Sequence, residues 1–355
     1  MESYEDGIAD YFGALNPEVL ELSEPLRVEG VSRLELGESN LNFLVKLNGR
    51  KYILRINMDP ASERKSRTEF RILSFLATLG IAPRAFCVNE SLKPFGETFL
   101  VIEHIEGTPL STLLSDFAAT EVAEKLARVV GKVHRLDVSK MPTDLPARGT
   151  TYEGWVEYIR KEVQYIRTKR QRHSLGNDRF ERLLDDALAR MELMAREATS
   201  PTILVPSHGD VCASNVIVED GTRNLRLIDW ESFGLRDPAS ELATIFEAFG
   251  LKFTPSHEKA FLKAYSTIRD DETIVERLKT FRPLVRFENL TWGIRHVFEI
   301  ADGEMDKAFV EATRMSRHLD FVQVCLTRCA ATGLIDTRLG EAVDLNIFPP
   351  EVYRS

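Results

Sequence analysis

Three side chains suited to phosphoryl transfer lie close together in the second half of the sequence. Asp210 could accept a proton from a substrate hydroxyl, and Asn215 and Asp229 could hold a magnesium ion through their oxygen atoms. Phosphoryl transfer asks a protein for little covalent chemistry, mainly for positioning and for neutralisation of phosphate charge. The alternative is that Asp210 and Asn215 are ordinary polar loop residues and that Asp229 only ends a strand.

A predicted β-hairpin explains how two of these groups could meet. Residues 216–218 (VIV) favour a short strand, residues 220–221 (DG) a tight turn, and residues 225–228 (LRLI) the returning strand. Asn215 precedes the first strand and Asp229 follows the second, so both should lie at the same end of the hairpin. Two neighbouring oxygen ligands suit magnesium, which keeps waters and phosphate oxygens as its other ligands.

The sequence around these groups resembles the aminoglycoside phosphotransferase and choline kinase superfamily. The resemblance is carried by residues 207–217 (SHGDVCASNVI) and 228–231 (IDWE). Protein kinases have His-Arg-Asp and Asp-Phe-Gly at these places, whereas here glycine replaces the arginine and Trp-Glu replaces Phe-Gly. Both departures favour small-molecule kinases. The resemblance is specific at this loop and extends more weakly over roughly residues 25–300.

The resemblance implies both a fold and an activity. The fold would be α+β, two-lobed and protein-kinase-like, with a small antiparallel-sheet lobe that binds the nucleotide (1–102) and a larger, mainly helical lobe (103–355). The activity would be transfer of the γ-phosphate of ATP or GTP, with Mg²⁺, to a hydroxyl of a small molecule. Asp210 would act as the base or orient the hydroxyl, and His208 would orient the loop by hydrogen bonds.

The N-terminal third favours strands and turns. Apolar and β-branched residues predict strands at 31–36, 41–47 and 51–56. Residues 48–49 (NG) are a strong hairpin signal. The turn at 37–40 lies where a kinase-like lobe would cover the nucleotide phosphates, and its backbone amides, with Ser39 and Asn40, could bind phosphate oxygens. Since this turn has only one glycine, an ordinary hairpin turn is an equal alternative.

A cation on the third strand is expected to bind the α- and β-phosphates. By the resemblance Arg55 holds this place, and a guanidinium can bind phosphate bidentately, with Lys51 as the second candidate. The helix predicted over 61–79 should supply a carboxylate that pairs with the cation. Glu69 is the expected partner and Glu63 the alternative. Without such a site, Glu69 would be an ordinary solvent-exposed residue.

The nucleotide base is expected to bind after the buried strand predicted at 99–102. In the resembled family the residues after this strand form the hinge between the lobes. The resemblance therefore implies that adenine bonds to backbone groups of Glu103 and Ile105. Because backbone recognition leaves little trace in the side chains, the sequence does not decide between ATP and GTP.

An acceptor site is predicted from aromatic and acidic residues on two helices. One predicted helix carries Trp155 and Tyr158, and another carries Glu288 and Trp292, spaced to share one side. Rings beside carboxylates would suit a cationic, aminoglycoside-like or choline-like substrate through cation–π and charge pairing. Glu231 is a further candidate, because choline-kinase-like members of the resembled family often carry Trp-Glu after the metal aspartate. Core aromatics and surface acids are an equally good interpretation.

Further helices are predicted from the spacing of apolar residues, at 121–136, 152–172 and 179–197. Asp237 followed by Pro238 favours a helix start, with aspartate as the N-cap and proline in the first turn. We therefore interpret Asp237 as a structural residue.

Composition argues against several classes of protein. The chain has 355 residues, 43% of them hydrophobic, and a net charge of −9, which is typical of a globular protein. A nucleic-acid binder would need a basic face, so no nucleic-acid partner is expected. The sequence contains no apolar run of roughly 18 residues or more, and its N-terminus lacks the features of a signal peptide. We expect no membrane partner and a cytoplasmic location.

Two other functions are compatible with the sequence. The chain could be a non-catalytic nucleotide-binding module that regulates another protein, although all the core groups are present. It could also be a protein kinase, which the glycine of the His-Gly-Asp loop and the lack of an Asp-Phe-Gly or Ala-Pro-Glu segment disfavour. The acceptor substrate and the oligomeric state are not decided by the sequence.

Overall fold

The computed structural model describes residues 4–34, 40–58, 62–117, 120–141, 151–176, 178–197, 203–248, 250–305, 314–335 and 347–353. Two compact units alternate along the chain. The first comprises Met1–Pro146, His208–Phe233 and Phe253–Arg269, and the second Ala147–Ser207, Gly234–Lys252 and Asp270–Ser355. The predicted lobe boundary between residues 102 and 103 falls inside the first unit and stays a prediction.

The elements of both units have the following bounds. The helices are α1 (Tyr4–Ala14), α2 (Ser62–Leu76), α3 (Leu110–Leu113), α4 (Glu121–His134), α5 (Tyr152–Arg172), α6 (Asp178–Glu197), α7 (Pro238–Glu247), α8 (Pro255–Ser266), α9 (Ile274–Ala301) and α10 (Met315–Ala331). The strands are β1 (Val28–Leu34), β2 (Asn40–Leu47), β3 (Arg50–Asn57), β4 (Ala85–Asn89), β5 (Phe99–Glu103), β6 (Gly107–Pro109), β7 (Val205–Ser207), β8 (Val216–Glu219), β9 (Leu225–Leu227) and β10 (Gly234–Arg236).

An antiparallel sheet dominates the first unit. Its five described strands follow the order β1-β2-β3-β5-β4. The predicted hairpin between β2 and β3 is confirmed: Asn48 and Gly49 have φ angles of 49° and 73°, as a two-residue hairpin turn of the primed type requires. The first predicted strand is confirmed as far as Leu34. Residues 35–39, and with them Ser39, lie outside the described residues.

The two faces of this sheet differ because side chains alternate along each strand. One face buries residues such as Phe43, Leu54 and Val101 against Ile8 and Phe12 of α1. Burying a side chain of this size stabilises the fold by about 1.5–3 kcal/mol, so α1 and the sheet hold each other in place. Arg55 follows Leu54 and therefore points to the opposite face.

Helix α2 places a carboxylate among apolar residues. Ile72, Leu73 and Leu76 are buried, and Glu69 lies on the same side of the helix with only 4% of its surface exposed. The helix passes into a short 3₁₀ turn and ends at Gly80, whose φ of 63° is the left-handed conformation that glycine adopts readily. The predicted helix therefore agrees in position with α2 and its 3₁₀ extension.

A smaller sheet with the order β6-β8-β9 contains the predicted hairpin. Val216 pairs with Leu227, which places the start of β8 beside the end of β9, as predicted. The chain turns between them at the predicted Asp220 and Gly221, where Gly221 has a φ of 74°, and the amide of Glu219 donates to the carbonyl of Asn224 across the loop. Gly107 of β6 allows the close approach of β8, since a Cβ there would lie 2.4 Å from the carbonyl oxygen of Val218.

The second unit is mainly helical. The long helix α9 packs against α5, α7 and α10, and β7 pairs with β10. The predicted start of α7 is confirmed: the Asp237 carboxylate accepts a hydrogen bond of 2.8 Å from the amide of Ala239, and Pro238 opens the helix. Among the described residues, no helix is both long and apolar enough to cross a membrane.

Candidate functional site

The loop that begins at His208 is fixed by its buried imidazole. His208 Nδ1 accepts a hydrogen bond of 3.2 Å from the amide of Asp210, and Nε2 lies 3.0 Å from the carbonyl oxygen of Ile228. These two bonds require a neutral ring with its proton on Nε2. The ring also packs on Trp230, with centroids 4.4 Å apart. His208 thus hydrogen-bonds to the backbone of Asp210 and Ile228, and its role in orienting a catalytic loop stays a prediction.

Asn215 joins the predicted base to the hairpin. Its side-chain amide donates to Asp210 Oδ2 at 2.9 Å and to the Asp210 carbonyl at 3.1 Å. Both bonds use the nitrogen, so the Oδ1 atom of Asn215 is the one available to a metal ion. The Asn215 carbonyl accepts the amide of Ile228 at 2.9 Å, which places its backbone next to the residue before Asp229.

Asp229 has an uncommon backbone conformation. Its φ and ψ are 65° and 68°, in the left-handed region that costs a non-glycine residue about 1 kcal/mol or more. The next residue anchors the turn, because Trp230 is fully buried and its indole nitrogen donates to the Leu227 carbonyl at 2.8 Å. Strain of this kind persists only where the surroundings impose it, and it is frequent at functional sites.

A buried guanidinium links the strand β3, the helix α2 and Asp229. Arg55 donates from Nη1 to Glu69 at 2.6 Å and to Asp229 at 3.2 Å, and from Nε to Asn42 at 3.1 Å. The structure therefore brings the predicted cation to its predicted partner. Lys51, the second candidate, instead pairs with Glu106 at 2.9 Å on the surface. The side chain of Glu63, the alternative partner, lies outside the described residues.

The surroundings of Arg55 carry more negative than positive charge. Burial raises the pKa of Glu69, and the Arg55 guanidinium opposes that rise. Glu231 lies close enough to act on both residues, and its own pKa is raised by desolvation and then by the charge of Asp229. An excess of carboxylates beside a strained aspartate is an environment that favours a bound divalent cation.

Two predicted nucleotide-binding segments show specific contacts. Asn40 is buried, and its side-chain amide donates to Glu231 Oε2 at 3.3 Å, which places it near Asp229. The amide of Glu103 donates to the Arg84 carbonyl at 2.7 Å. Recognition of a base at Glu103 would therefore fall to its carbonyl oxygen. Ile105 is buried and follows two residues later.

The predicted acceptor residues fall into separate groups. In the second unit the indole nitrogen of Trp155 donates to Glu288 Oε2 at 2.9 Å. Trp292 lies in a different group, where it stacks on His296 with centroids 4.8 Å apart. Glu231 belongs to the first unit and contacts Asn40, on the side of the predicted phosphate-binding residues. Tyr158 lies near enough to Arg295 to influence its pKa.

Sequence reasoning missed two residues that hold this site together. Asn42 binds the Arg55 guanidinium, and Arg226 contacts Glu103 from strand β9. The only signal for Arg226 is a charged residue inside an otherwise apolar strand. Asn42 gives no signal, because its position matters only once β2 and β3 are paired.

A known family matches most of the chain. The description of that family is "Phosphotransferase enzyme family", and the match covers residues 30–276. Viomycin phosphotransferase of Streptomyces vinaceus is 29% identical over 159 residues, which are 43% of this chain and 50% of that protein. The chain thus spans about half the length of this curated relative.

Solved structures resemble the chain over nearly its full length. Choline kinase LicA from Streptococcus pneumoniae has a TM-score of 0.58 and 21% identity, covering 86% of this chain and 94% of that one. Spectinomycin phosphotransferase APH(9)-Ia, in complex with ADP and spectinomycin, has a TM-score of 0.62 and 14% identity. The likeness covers 94% of this chain and 100% of that one. At these identities the likeness shows the fold, and the predicted α+β, kinase-like fold is confirmed.

Proposed function

We propose that this chain, which belongs to the phosphotransferase enzyme family, transfers the γ-phosphate of ATP or GTP to a hydroxyl of a small molecule. The observation that carries the proposal is the arrangement of Asp210, Asn215 and Asp229. The Asn215 amide holds the Asp210 carboxylate at 2.9 Å, and Asp229 lies within 3.2 Å of a buried arginine. A base, an amide oxygen and a second carboxylate are thus fixed on two connected turns.

Asp210 is the proposed catalytic base. The acceptor hydroxyl gives its proton to the Asp210 carboxylate as its oxygen bonds to the γ-phosphorus, and the bond to the bridging oxygen breaks, releasing ADP or GDP. The hydrogen bond from the Asn215 side chain fixes the orientation of this carboxylate. His208 contributes by fixing the amide of Asp210, so its role is to position the loop.

The residues present fit a magnesium ion. Asn215 Oδ1 and the Asp229 carboxylate are hard oxygen donors, which magnesium prefers. The ion, when bound, neutralises phosphate charge. We propose that Arg55, held by Glu69, supplies a cation to the phosphates and that Asn40, which contacts Glu231, binds them as well. The Glu103 carbonyl and the Ile105 backbone are the proposed contacts of the base.

For the acceptor we propose a cationic amine that also carries a hydroxyl. In the second unit, the Glu288 carboxylate beside the ring of Trp155 has the chemistry that recognises an ammonium group, through charge pairing and cation–π attraction. Tyr158 is proposed as a further aromatic contact, whereas Trp292, which stacks on His296 in a separate group, stays a prediction from the sequence. By their names, the relatives act on viomycin, spectinomycin and choline, and this supports a cationic acceptor. A cytoplasmic location remains a prediction.

The test is nucleotide consumption with Mg²⁺ across a panel of hydroxyl compounds, including peptide and aminocyclitol antibiotics, choline, ethanolamine, homoserine and sugars. We expect one class of acceptor to stimulate ADP or GDP release. Asp210→Ala should lower that release by about 10³-fold, because the base is lost, and leave the Kd of the magnesium–nucleotide complex nearly unchanged.

Asp220→Asn is the matched control, because Asp220 is an exposed aspartate in the loop of the same hairpin. We expect this variant to release ADP or GDP at the wild-type rate. Turnover that survives in Asp210→Ala would remove Asp210 from the proposed role. Nucleotide binding without transfer to any acceptor would instead favour a regulatory module.

A further inference from the structure

Arg226 of strand β9 makes a two-pronged contact with the predicted hinge. Its Nη1 and Nη2 atoms donate to the two carboxylate oxygens of Glu103 at 3.0 and 2.8 Å. The guanidinium also donates to the carbonyl of Ala82 and, at 3.4 Å, to Glu219. The side chain of Arg226 is 11% exposed and that of Glu103 is 33% exposed, so the guanidinium is largely shielded from water and the carboxylate only in part. Bidentate pairs between arginine and a carboxylate are among the stronger and more directional contacts in proteins.

Glu103 is bound at both its backbone and its side chain. Its amide donates to the Arg84 carbonyl at 2.7 Å, and its Oε2 accepts the Arg84 amide at 3.0 Å. Strand β5 ends at this residue, where Glu103 pairs with Tyr52 of β3. Any movement of the Glu103 carboxylate would therefore shift the end of the strand that precedes the proposed base-binding backbone.

The strand that carries Arg226 leads directly to the proposed metal ligand. Next along the chain, the amide of Leu227 donates to the Ile81 carbonyl at 2.8 Å. The amide of Ile228 then donates to the Asn215 carbonyl at 2.9 Å, and Asp229 follows. One guanidinium thus connects the end of β5, the segment before β4 and strand β9, which ends two residues before Asp229, all within the first unit.

We propose that Arg226 is a positioning residue that sets the distance between the base-binding end and the metal-binding end of the nucleotide site. This inference rests on the proposed function, which assigns the base to Glu103 and Ile105 and the metal to Asp229. A nucleotide must engage both ends at once. A loose connection between them lowers nucleotide affinity without changing any residue that touches the nucleotide.

The main test replaces Arg226 with lysine and measures the Kd of magnesium–ADP by calorimetry, which needs no acceptor. Lysine keeps the charge but cannot make the two-pronged contact. We expect the Kd to rise by about 10-fold, the lower end of the loss that follows when residues supporting metal ligands are replaced. In turnover, the KM for the nucleotide should rise while the KM for the acceptor stays unchanged.

Arg67→Lys is the matched control. Arg67 also makes a two-pronged contact with a carboxylate, that of Glu90, in the same unit, but on an exposed surface. Its Kd for magnesium–ADP should change by less than about 2-fold. Should Arg226→Lys fail to fold, Glu103→Gln takes its place, because it weakens the same contact from the other side. Combined, the two changes should weaken binding little more than either alone, since they remove one shared interaction.

Amide hydrogen exchange without nucleotide separates this inference from the proposed function. In Arg226→Lys, exchange should accelerate in residues 99–103 and 225–229 together, whereas Arg67→Lys should alter neither segment. A wild-type chain that binds no nucleotide would defeat the proposed function, yet the exchange result would still decide whether Arg226 couples the segments. A folded Arg226→Lys with a lower melting temperature but wild-type nucleotide affinity and exchange would overturn the inference.

Discussion

A buried arginine bound by two carboxylates occurs in each unit, and the two clusters are built differently. In the first unit Arg55 contacts Glu69 and Asp229, and the Asp229 side chain keeps 32% of its surface exposed. In the second unit Arg277 contacts Asp237 and Asp271, which are 1% and 5% exposed. Arginine and two carboxylates therefore form an open cluster in the first unit, in which one acid is partly exposed, and a closed cluster in the second unit, in which both acids are buried.

The two carboxylates of the closed cluster also accept hydrogen bonds from backbone amides near the start of a helix. Asp237 caps α7 by accepting the Ala239 amide, and Asp271 accepts the Thr273 amide at 3.2 Å before α9 begins. Asp229 caps no helix and has a strained backbone instead. Carboxylates that are buried against an arginine and also accept a backbone amide serve stability, whereas a partly exposed, strained carboxylate beside a cation is suited to binding a ligand.

The largest expected effect separates Asp229 from the acids of the closed cluster. Asp229→Asn should lower acceptor-dependent turnover by about 10²–10³-fold, because a charged metal ligand is lost. Asparagine tolerates the left-handed conformation and can still accept a bond from Arg55, so the melting temperature should not fall. Turnover and thermal melts of the same preparation check both points. Wild-type turnover with a large loss of stability would place Asp229 among the structural acids.

The closed cluster should show the opposite behaviour. Asp237→Asn keeps the N-cap oxygen but removes one charge from a buried pair with Arg277, which should cost about 3 kcal/mol of unfolding free energy. Turnover per folded molecule should stay near wild type. Urea unfolding, with Asp137→Asn as an exposed N-cap control, measures the effect. If Asp237→Asn were fully stable but inactive, the contrast between the two clusters would be lost.

A smaller effect is expected from pH in the second unit. Burial, followed by the charges of His318 and Arg295, lowers the pKa of His296 from 6.5 to about 4. On acidification, His296 therefore takes up a proton near pH 6.5 in the unfolded chain but only near pH 4 in the folded chain. Stability from the neutral His296 is complete above pH 6.5 and is lost as the pH falls towards 4, by up to about 3 kcal/mol.

The check for His296 is the unfolding free energy of the wild type and of His296→Gln between pH 7 and 4. The wild type should lose stability faster than the variant on acidification, since glutamine takes up no proton. Parallel curves for the two proteins would show that His296 has an ordinary pKa. Activity per folded molecule should follow the same pH profile in both.

Local chemistry was enough to predict many elements from the sequence. Asn48 and Gly49 predict the hairpin between β2 and β3, because few residues accept positive φ angles at both turn positions. Asp237 and Pro238 predict the start of α7, because capping depends on adjacent residues. The tight turn predicted at Asp220 and Gly221 is confirmed in the same way, since Gly221 has a φ of 74° and β9 begins at the predicted Leu225.

The candidate site was predictable only in part, because local chemistry does not decide which distant residues come into contact. The order of Asp210, Asn215 and Asp229 around a hairpin is contained in the sequence, and the structure brings the first two into contact. The resemblance to the superfamily also favoured Arg55 and Glu69 as partners, and the structure joins them at 2.6 Å. Sequence spacing gave no indication that Glu231 would contact Asn40, a residue 191 positions earlier.

By itself, then, the amino-acid sequence determined the elements, their turns and caps, and the residue types available for phosphoryl transfer, because these depend on neighbours along the chain. Beyond the expected pair of Arg55 and Glu69, only the tertiary structure decided which distant charges meet. The pairing of Arg55 with Asp229, 174 positions away, and of Arg226 with Glu103, 123 positions away, follows from how strands and helices pack. The energy of a charge pair depends on distance and on exclusion of water, and packing sets both.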